Sequence, residues 1–255
     1  MLITERKFGI YKILNIYFVE ELMTVNIPDC DVVTYYTNKN WGEIKGYERK
    51  NCYTTIINLT QDNDVIWKRI KRQHKRHIRR AEKNGTKVSV NKNYEKFYQI
   101  YNKFLIEKNY ADLFGLKLFS LQFMQKYCIL FTAEKQGEIL GGNLYFYDED
   151  NALSVSTVYQ LFGNSIEKNK QISDANCYIH WEAIQYFKTL GVIKYDLGGL
   201  EDNAKTLNHQ IDGVDYYKRS FGGDIISQYE YRKFNSRFNK LLFHSWNFFR
   251  TCKYI

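Results

Sequence analysis

The sequence predicts an α/β protein whose mixed, largely antiparallel central sheet is flanked by helices. Apolar alternation over residues 129–160, interrupted by the turn sequences KQG at 135–137 and DEDN at 148–151, predicts a meander of three strands. A helix predicted at 173–192 is followed by the strand IKYDLGGL at 193–200, and a helix between two strands is typical of α/β proteins. With 255 residues the chain can bury a core without disulfides or metals.

The first sixty residues are predicted to be rich in strands. The stretches DVVTYYT at 31–37 and CYTTIINL at 52–59 hold many β-branched and aromatic residues. We therefore expect an amino-terminal extension over 1–60, a main domain over 61–236 and an amphipathic carboxy-terminal helix over 237–255.

A strongly basic helix is predicted over WKRIKRQHKRHIRRAEKNG at 67–85. Its least charged residues repeat at steps of three and four, which is the period of a helix. They are Trp67, Ile70, His74, Ile78 and Ala81. Asp62 or Asp64 can cap its start and Asn84-Gly85 is a typical end, so the helix is predicted to run unbroken.

The charge of the protein is concentrated on this helix. It holds nine basic residues and one acid, a net charge of +8, whereas the whole chain has a formal charge of +9. A near-neutral body with one basic ridge indicates an anionic partner, such as nucleic acid, phosphates or a membrane surface. The alternative is an ordinary solvated helix face.

The remaining elements of the main domain follow from local patterns. TKVSVN at 86–91 predicts a strand, and apolar spacing predicts helices at 94–109 and 120–128. We expect the helix at 173–192 to be capped by Ser173 or Asp174 and closed by Gly191.

Cysteine usage and hydropathy indicate an intracellular protein with reduced thiols. The five cysteines are odd in number and far apart, so neither a disulfide framework nor a zinc site is predicted. Acidic residues flank the apolar stretch near the amino terminus, which argues against a secretion signal. No run reaches transmembrane length.

Three motifs in order carry a family resemblance. They are IRRAEKNGTKVSV at 78–90, HWEAIQYFKTLGVIKYDLGG at 180–199 and GVDYYKRSFGG at 213–223. Together they resemble the Fem-type branch of the GNAT acyltransferase superfamily, the peptidyltransferase-like proteins that attach amino acids to peptidoglycan precursors in cell wall biogenesis. The resemblance spans roughly 52–230 and implies a GNAT-like fold for the main domain, with 1–60 as a partial first GNAT unit.

The resemblance also bears on the acyl donor. Acetyl-CoA-dependent GNAT proteins carry a glycine-rich loop, Q/R-x-x-G-x-G/A, whose N–H groups cradle pyrophosphate. The corresponding stretch at 160–177 holds only Gly163. The resemblance then implies aminoacyl-tRNA as donor. The alternatives are an acyl-CoA-dependent N-acyltransferase of an amino sugar or small amine, and a non-catalytic nucleic-acid-binding protein on a GNAT scaffold; no further cofactor is implied.

Lys218 and Asp196 are the candidate catalytic residues. The resemblance places the important lysine of the branch at Lys218, where an ammonium would stabilise an oxyanion; the alternative is a salt bridge to Asp215 or Asp224. Asp196 could orient an amine or accept its proton, or cap the turn before Gly198.

The substrate would be held by neighbouring residues. Tyr217 could pack beside the terminal adenosine of the donor or fill the core. Gly198 and Gly199 could allow close approach of the substrate. Backbone N–H groups near 156–159 are candidates for the oxyanion site. The candidate substrate-binding residues are Tyr217, Gly198, Gly199, Ser156, Thr157 and Tyr159.

The basic helix supplies candidate contacts to the phosphates of tRNA or of a nucleotide- or lipid-linked precursor. They are Arg72, Arg76, Arg79 and Arg80. His74 and His77 have no carboxylate within sequence reach and are interpreted as packing or phosphate contacts, and His180 as a satisfied buried imidazole. No metal site is predicted.

The tail RFNKLLFHSWNFFRTCKYI at 237–255 has one apolar helical face and scattered cations. It could dock on the core, which we favour, or lie on the inner membrane face and bring a cytoplasmic enzyme to a lipid-linked acceptor.

Overall fold

The computed structural model describes residues 1–8, 11–22, 30–108, 119–160, 165–200, 213–236 and 240. The strands are β1 (Leu2–Phe8), β2 (Tyr11–Tyr17), β3 (Val32–Thr37), β4 (Tyr47–Asn58), β5 (Lys87–Val90), β6 (Ile129–Lys135), β7 (Glu138–Tyr147), β8 (Asn151–Tyr159), β9 (Lys194–Leu200) and β10 (Asp224–Phe234). The helices are α1 (Asn63–Arg69), α2 (Arg72–Lys83), α3 (Tyr94–Glu107), α4 (Leu121–Tyr127), α5 (Ile166–Thr189) and α6 (Gly213–Arg219).

The described residues form two compact units. Unit 1 contains Met1–Thr54 with the described residues of Gly199–Asn208 and Ile226–Ile255, and unit 2 contains Thr55–Gly198 with those of His209–Ile225. In unit 1, β1 pairs with β2 antiparallel, β2 with β3 parallel and β3 with β10 antiparallel. Its core is aromatic: Tyr35 and Tyr231 are fully buried, and the Tyr231 hydroxyl accepts from the Trp41 backbone N–H at 2.8 Å.

Unit 2 is built on the predicted meander. Its strands lie in the order β9-β8-β7-β6-β5, with β8 and β9 parallel and the other neighbours antiparallel. The α5 helix connects β8 to β9, as the sequence predicted. The mixed, largely antiparallel sheet is therefore confirmed.

Helices cover both faces of the unit 2 sheet. Successive side chains of a strand point to opposite faces. On β7, Tyr145 packs against Phe187 of α5 with ring centroids 5.3 Å apart, whereas Phe146 packs against Phe123 of α4 at 6.2 Å. The helices therefore flank the sheet, and α5 and α4 lie on opposite sides of it.

The basic segment forms two helices, so the prediction of one unbroken helix is wrong. Ile70 and Lys71 are extended, with ψ of 132° and 148°. The Lys71 N–H donates to the Ser220 carbonyl at 2.9 Å, and a Cβ on Gly222 would lie 2.5 Å from the Arg69 carbonyl oxygen. The turn after α6 thus packs into the break. The apolar stripe is still buried, at Ile70, His74, Ile78 and Ala81.

The α5 helix begins earlier than the sequence indicated. Ser165 is its cap, and the Ser165 hydroxyl accepts from the Lys168 N–H at 3.4 Å. Asp174 is therefore not a cap but an interior helix residue with 3% exposure. The other end is as predicted, since Gly191 follows the helix with φ of +82°.

Several predicted features lie outside the described residues. They are Gly163, Cys252 and, apart from Lys240, the helix at 237–255. Among the described residues, Cys30, Cys52, Cys128 and Cys177 are not disulfide-bonded. Within the described part of the chain, no helix is both long and apolar enough to cross a bilayer.

Candidate functional site

The two parallel strands of unit 2 part near their middle. Asn151–Leu153 of β8 pairs with Lys194–Asp196 of β9, and in the described ladder the pairing ends there while β8 continues to Tyr159. On its other edge β8 carries a bulge: Leu144 pairs with Ser156 and Tyr145 with Ser154, which leaves Val155 as the extra residue.

Asp196 caps the bend of β9. It is 6% exposed, and its Oδ1 accepts from the Gly198 N–H at 2.8 Å. Gly198 has φ of +85°, and a Cβ there would lie 2.9 Å from the Ser154 carbonyl oxygen. Both features show a turn that needs glycine. Of the two roles considered for Asp196, turn capping is therefore the one seen in the structure.

Lys218 reaches the same bend from α6. Its Nζ lies 3.7 Å from the position of a Cβ on Gly198. Asp224, one proposed salt-bridge partner, pairs instead with Arg69, whose Nη2 is 2.5 Å from Asp224 Oδ1. The Lys218 ammonium is thus placed where β8 and β9 part.

Gly199 belongs to unit 1. Among the described residues, a Cβ there would meet only the Tyr53 carbonyl oxygen, at 3.8 Å.

A buried polar network lies beneath β8. His180 Nδ1 is 2.7 Å from the Tyr195 hydroxyl, and the Asn143 amide nitrogen is 3.4 Å from His180 Nε2. The side-chain amide oxygen of Asn143, Oδ1, accepts from the hydroxyls of Ser154 and Thr157, both at 3.1 Å. Burial, followed by the neighbouring His74 and Lys218, lowers the pKa of His180 to about 3. His180 is a neutral, satisfied imidazole, in agreement with its interpretation from the sequence.

Tyr217 joins this network to a pocket. Its ring lies 4.9 Å from His74, 5.8 Å from His180 and 5.4 Å from Phe221 between centroids. Burial, followed by the neighbouring Cys177 thiol, raises the pKa of Tyr217 well above its usual value. Tyr217 therefore packs in an aromatic cluster and also forms part of the pocket wall.

The pocket has a volume of about 430 Å³ and is lined by α2, α5, α6 and the end of β8. Of the predicted substrate residues, Tyr159 and Tyr217 line it, whereas Ser156, Thr157 and Gly198 do not. Its other walls include the side chains of Gln73, His74, His77, Asn176 and Cys177.

A cluster that the sequence did not reveal lies at this pocket: His77, Asp174 and Arg80, here called the Asp174 cluster. His77 Nδ1 is 2.7 Å from Asp174 Oδ1, and Arg80 donates to both carboxylate oxygens at 2.5 Å. Burial raises the pKa of Asp174, but the hydrogen bonds from His77 and Arg80 outweigh it, so the pKa lies below its usual value. The expectation that His77 has no carboxylate partner is wrong.

The Asp174 cluster also revises the role expected for Arg80. Its Nε and Nη2 are engaged by the buried carboxylate of Asp174, so Arg80 ties α2 to α5, and its side chain is only 26% exposed. Asp174 was missed because it follows Ser173 at a position that looks like a helix start. The i, i+3 spacing of His77 and Arg80 was the available signal of a shared partner on one helix face.

His74 has an unusual hydrogen-bonding state. Its Nε2 lies 3.1 Å from the Tyr217 carbonyl oxygen, which can only accept, so Nε2 carries the proton. His74 Nδ1 is buried and has no hydrogen-bond partner within the described residues. Burial lowers the pKa of His74 to about 4, despite that hydrogen bond. The pocket wall thus holds a neutral imidazole with an unused acceptor.

The outer face of α2 remains strongly basic. Arg72, Arg76 and Arg79 are exposed. The Lys71 ammonium lies 4.3 Å from the ring centroid of Tyr216, a pocket residue, so positive charge extends to the pocket rim. Such a surface can bind phosphates beside a pocket.

Comparison with solved structures supports the fold, although no family model and no curated protein matches the sequence. Among solved structures, FemX is similar over 95% of this chain and 85% of its own, with 12% identity and a TM-score of 0.61.

Two further similar structures are lysylphosphatidylglycerol synthetases. The carboxy-terminal domain of a putative one from Agrobacterium fabrum is 12% identical over 94% of this chain and 83% of its own, with a TM-score of 0.57. The L-PGS from Bacillus licheniformis is 13% identical over 86% of this chain and 73% of its own, with a TM-score of 0.54. The suspected Fem-type GNAT resemblance is confirmed at the level of the fold, which this chain shares with FemX and with these synthetases.

Proposed function

We propose that the protein is an acyltransferase that forms an amide on an amine acceptor, with aminoacyl-tRNA as donor and a cell-envelope precursor as acceptor. The observation that carries the proposal is the position of Lys218, whose Nζ lies 3.7 Å from a Cβ position on Gly198, where β8 and β9 part.

The chemistry follows from that position. Attack of an amine on an ester carbonyl places negative charge on the carbonyl oxygen, and donors fixed in advance lower the barrier most effectively. An ammonium at Lys218 and backbone N–H groups of β8 near Ser156, Thr157 and Tyr159 would supply such donors. The Asp196 carboxylate would then act mainly by holding the bend against which Lys218 lies.

The donor assignment rests on charge. Arg72, Arg76 and Arg79 are exposed on α2, the helix that also lines the pocket through Gln73, His74 and His77, and forked guanidinium groups suit phosphate. The names of two similar structures denote synthetases of lysylphosphatidylglycerol, an aminoacylated phospholipid. An aminoacyl donor is consistent with both.

The acceptor would be linked to a nucleotide or a lipid. A lipid-linked acceptor would bring the enzyme to the inner face of the membrane, with the cationic, aromatic tail at 237–255 as the contact. Deleting 237–255 would then remove the protein from the membrane fraction while its melting temperature stays close to that of the full chain. Unchanged association of a folded truncation would contradict the membrane contact.

Donor binding is the first test. Melting temperature is measured with acetyl-CoA, uncharged tRNA and total tRNA charged with mixed amino acids, over a salt series. We expect stabilisation by tRNA that weakens with salt, with an increment for the charged form. Stabilisation by acetyl-CoA would instead support a CoA-dependent N-acyltransferase.

Turnover is the second test. Transfer of labelled amino acids from tRNA to small amines is measured after subtraction of the enzyme-free rate. Binding of tRNA that is equal for charged and uncharged forms, without any transfer, would identify a nucleic-acid-binding protein on this scaffold and overturn the proposal.

A further inference from the structure

The Asp174 cluster fixes the proton of His77. Asp174 Oδ1 can only accept when ionised, so the 2.7 Å contact favours a proton on His77 Nδ1, and this contact is shorter than the 3.0 Å approach of the Arg80 Nη2 donor to the same nitrogen. With the proton there, the lone pair of an unprotonated ring is on Nε2. Because Arg80 donates to both oxygens of the buried Asp174 carboxylate, neither the charge of Asp174 nor its orientation can change easily.

His77 faces the pocket with this tautomer. Its side chain is 15% exposed and forms part of the pocket wall. A carboxylate behind one imidazole nitrogen, with the other nitrogen directed to a substrate, is an arrangement that orients a histidine and stabilises its cation. Such a histidine can take a proton from a bound group.

His74 is a second imidazole in the wall of this pocket. It lines the same pocket, 6.4 Å from His77 between ring centroids, and is 4% exposed. Its Nδ1 has no donor among the residues that the structure describes. An unpaired buried acceptor destabilises the fold. Because the His74 nitrogen is itself inaccessible, His77 is the imidazole of this wall that can accept from a ligand that donates hydrogen bonds, as an amine does.

We propose that this pocket receives the acceptor amine and that His77 is the catalytic base that takes its proton, with Asp174 as the positioning residue. The inference rests on the proposed acyl transfer and specifies where its acceptor binds. Tyr217, the residue before Lys218 on α6, contributes to the same wall.

Each proton in the reaction has a defined destination. The amine arrives as an ammonium and gives one proton to His77 Nε2. The nitrogen lone pair then forms the C–N bond and the ester C–O bond breaks. The imidazolium returns its proton to the leaving ribose oxygen, and the second proton of the attacking nitrogen passes to solvent. The products are an amide, a free tRNA hydroxyl and one released proton, and His77 is regenerated.

The competing explanation is that the Asp174 cluster only holds α2 against α5. A purely structural role would affect all acceptors equally. A catalytic base, by contrast, matters for a strongly basic amine that is protonated at neutral pH, and much less for a weakly basic one that already has a free lone pair. Acceptor basicity therefore separates the two roles at constant pH.

The experiment compares transfer to methylamine with transfer to hydroxylamine at pH 7, using the full chain and charged tRNA. Methylamine is protonated under these conditions and hydroxylamine is not. For His77→Gln we expect the methylamine rate to fall about 10²-fold or more, while hydroxylamine transfer is retained. Asp174→Asn should shift the ratio of the two rates in the same direction, because it no longer fixes the tautomer.

Glu82→Gln is the matched control, since Glu82 is an exposed residue of the same helix. Melting temperatures establish that each variant is folded, and His77→Gln alone decides the outcome if Asp174→Asn does not fold. Suppose that the wild type transfers to both amines. If His77→Gln then leaves both rates unchanged, or lowers both by the same factor, His77 is not the base, although the protein is still a transferase. If the wild type transfers to neither, the proposed function fails and the inference fails with it.

Discussion

Lys218 and Gly198 meet at the bend of β9: the Lys218 Nζ lies 3.7 Å from the point that a Gly198 Cβ would occupy. Gly198 is held there by the Asp196 carboxylate, which accepts from its N–H, and by the approach of the Ser154 carbonyl. The bend at Gly198, the β8 backbone at Ser154 and the Lys218 ammonium are thus in contact. A substitution at Gly198 should therefore change the position of Lys218.

Gly198→Ala should destabilise the protein more than Gly191→Ala. Both glycines have positive φ, +85° and +82°, so alanine is strained at either position by about 1–2 kcal/mol. At Gly198 the new Cβ would also meet a backbone oxygen, at 2.9 Å, whereas no described residue has an atom within 4 Å of a Cβ on Gly191. Urea unfolding of the two variants measures the difference in the free energy of unfolding. Equal losses would show that the Ser154 carbonyl can move away from the new Cβ at no cost.

Lys218→Met should lower the transfer rate while leaving the fold and tRNA binding intact. Loss of one oxyanion donor typically lowers a rate by about 10²–10³-fold. Single-turnover transfer to hydroxylamine measures this effect, and Lys87→Met, at an exposed residue of β5, is the control. An unchanged rate in Lys218→Met would remove the lysine from the mechanism.

The parts of the fold that could be predicted are those that depend on local pattern. The meander and the buried stripe through His74 and Ile78 follow from spacing alone. The break at Lys71 does not, because it depends on a hydrogen bond to Ser220 and on the packing of Gly222 at Arg69, which lie far apart in the sequence.

The candidate site divides in the same way. Lys218 and Tyr217 were predicted because both lie in one short motif, GVDYYKRSFGG at 213–223, that carries the family resemblance. The Asp174 cluster joins His77 to a residue 97 positions later, and no local pattern predicts such a pair. The sequence also suggested Asp174 as a helix cap, because an acid near a predicted helix start can serve as one. The structure shows that α5 begins at Ser165, which places Asp174 inside the helix.

The arginines of α2 should separate into two groups. Gln substitution at Arg72, Arg76 and Arg79 together should lower tRNA affinity and reduce the slope of log affinity against log salt, by about 0.7–0.9 for each phosphate that is no longer neutralised. Arg80→Gln should instead lower the melting temperature, since it leaves the buried Asp174 carboxylate with fewer donors. Binding titrations at several salt concentrations, with melting curves, test both. If Arg80→Gln lowered only the salt slope, its internal role would be wrong.

Stability should fall with acid before most carboxylates titrate. Burial lowers the pKa of His180 from 6.5 to about 3 and that of His74 from 6.5 to about 4. Both groups are protonated more readily in the unfolded chain than in the folded one, so lowering the pH below about 6.5 favours unfolding, and the loss of stability grows until the folded pKa is reached. Each histidine should contribute up to about 1.4 kcal/mol per pH unit in that window. Urea unfolding of the wild type and of His74→Gln from pH 7 to 4.5 measures the slope. We expect a shallower slope in the variant even if it is less stable at pH 7, and parallel slopes would mean that His74 is already protonated in the folded protein.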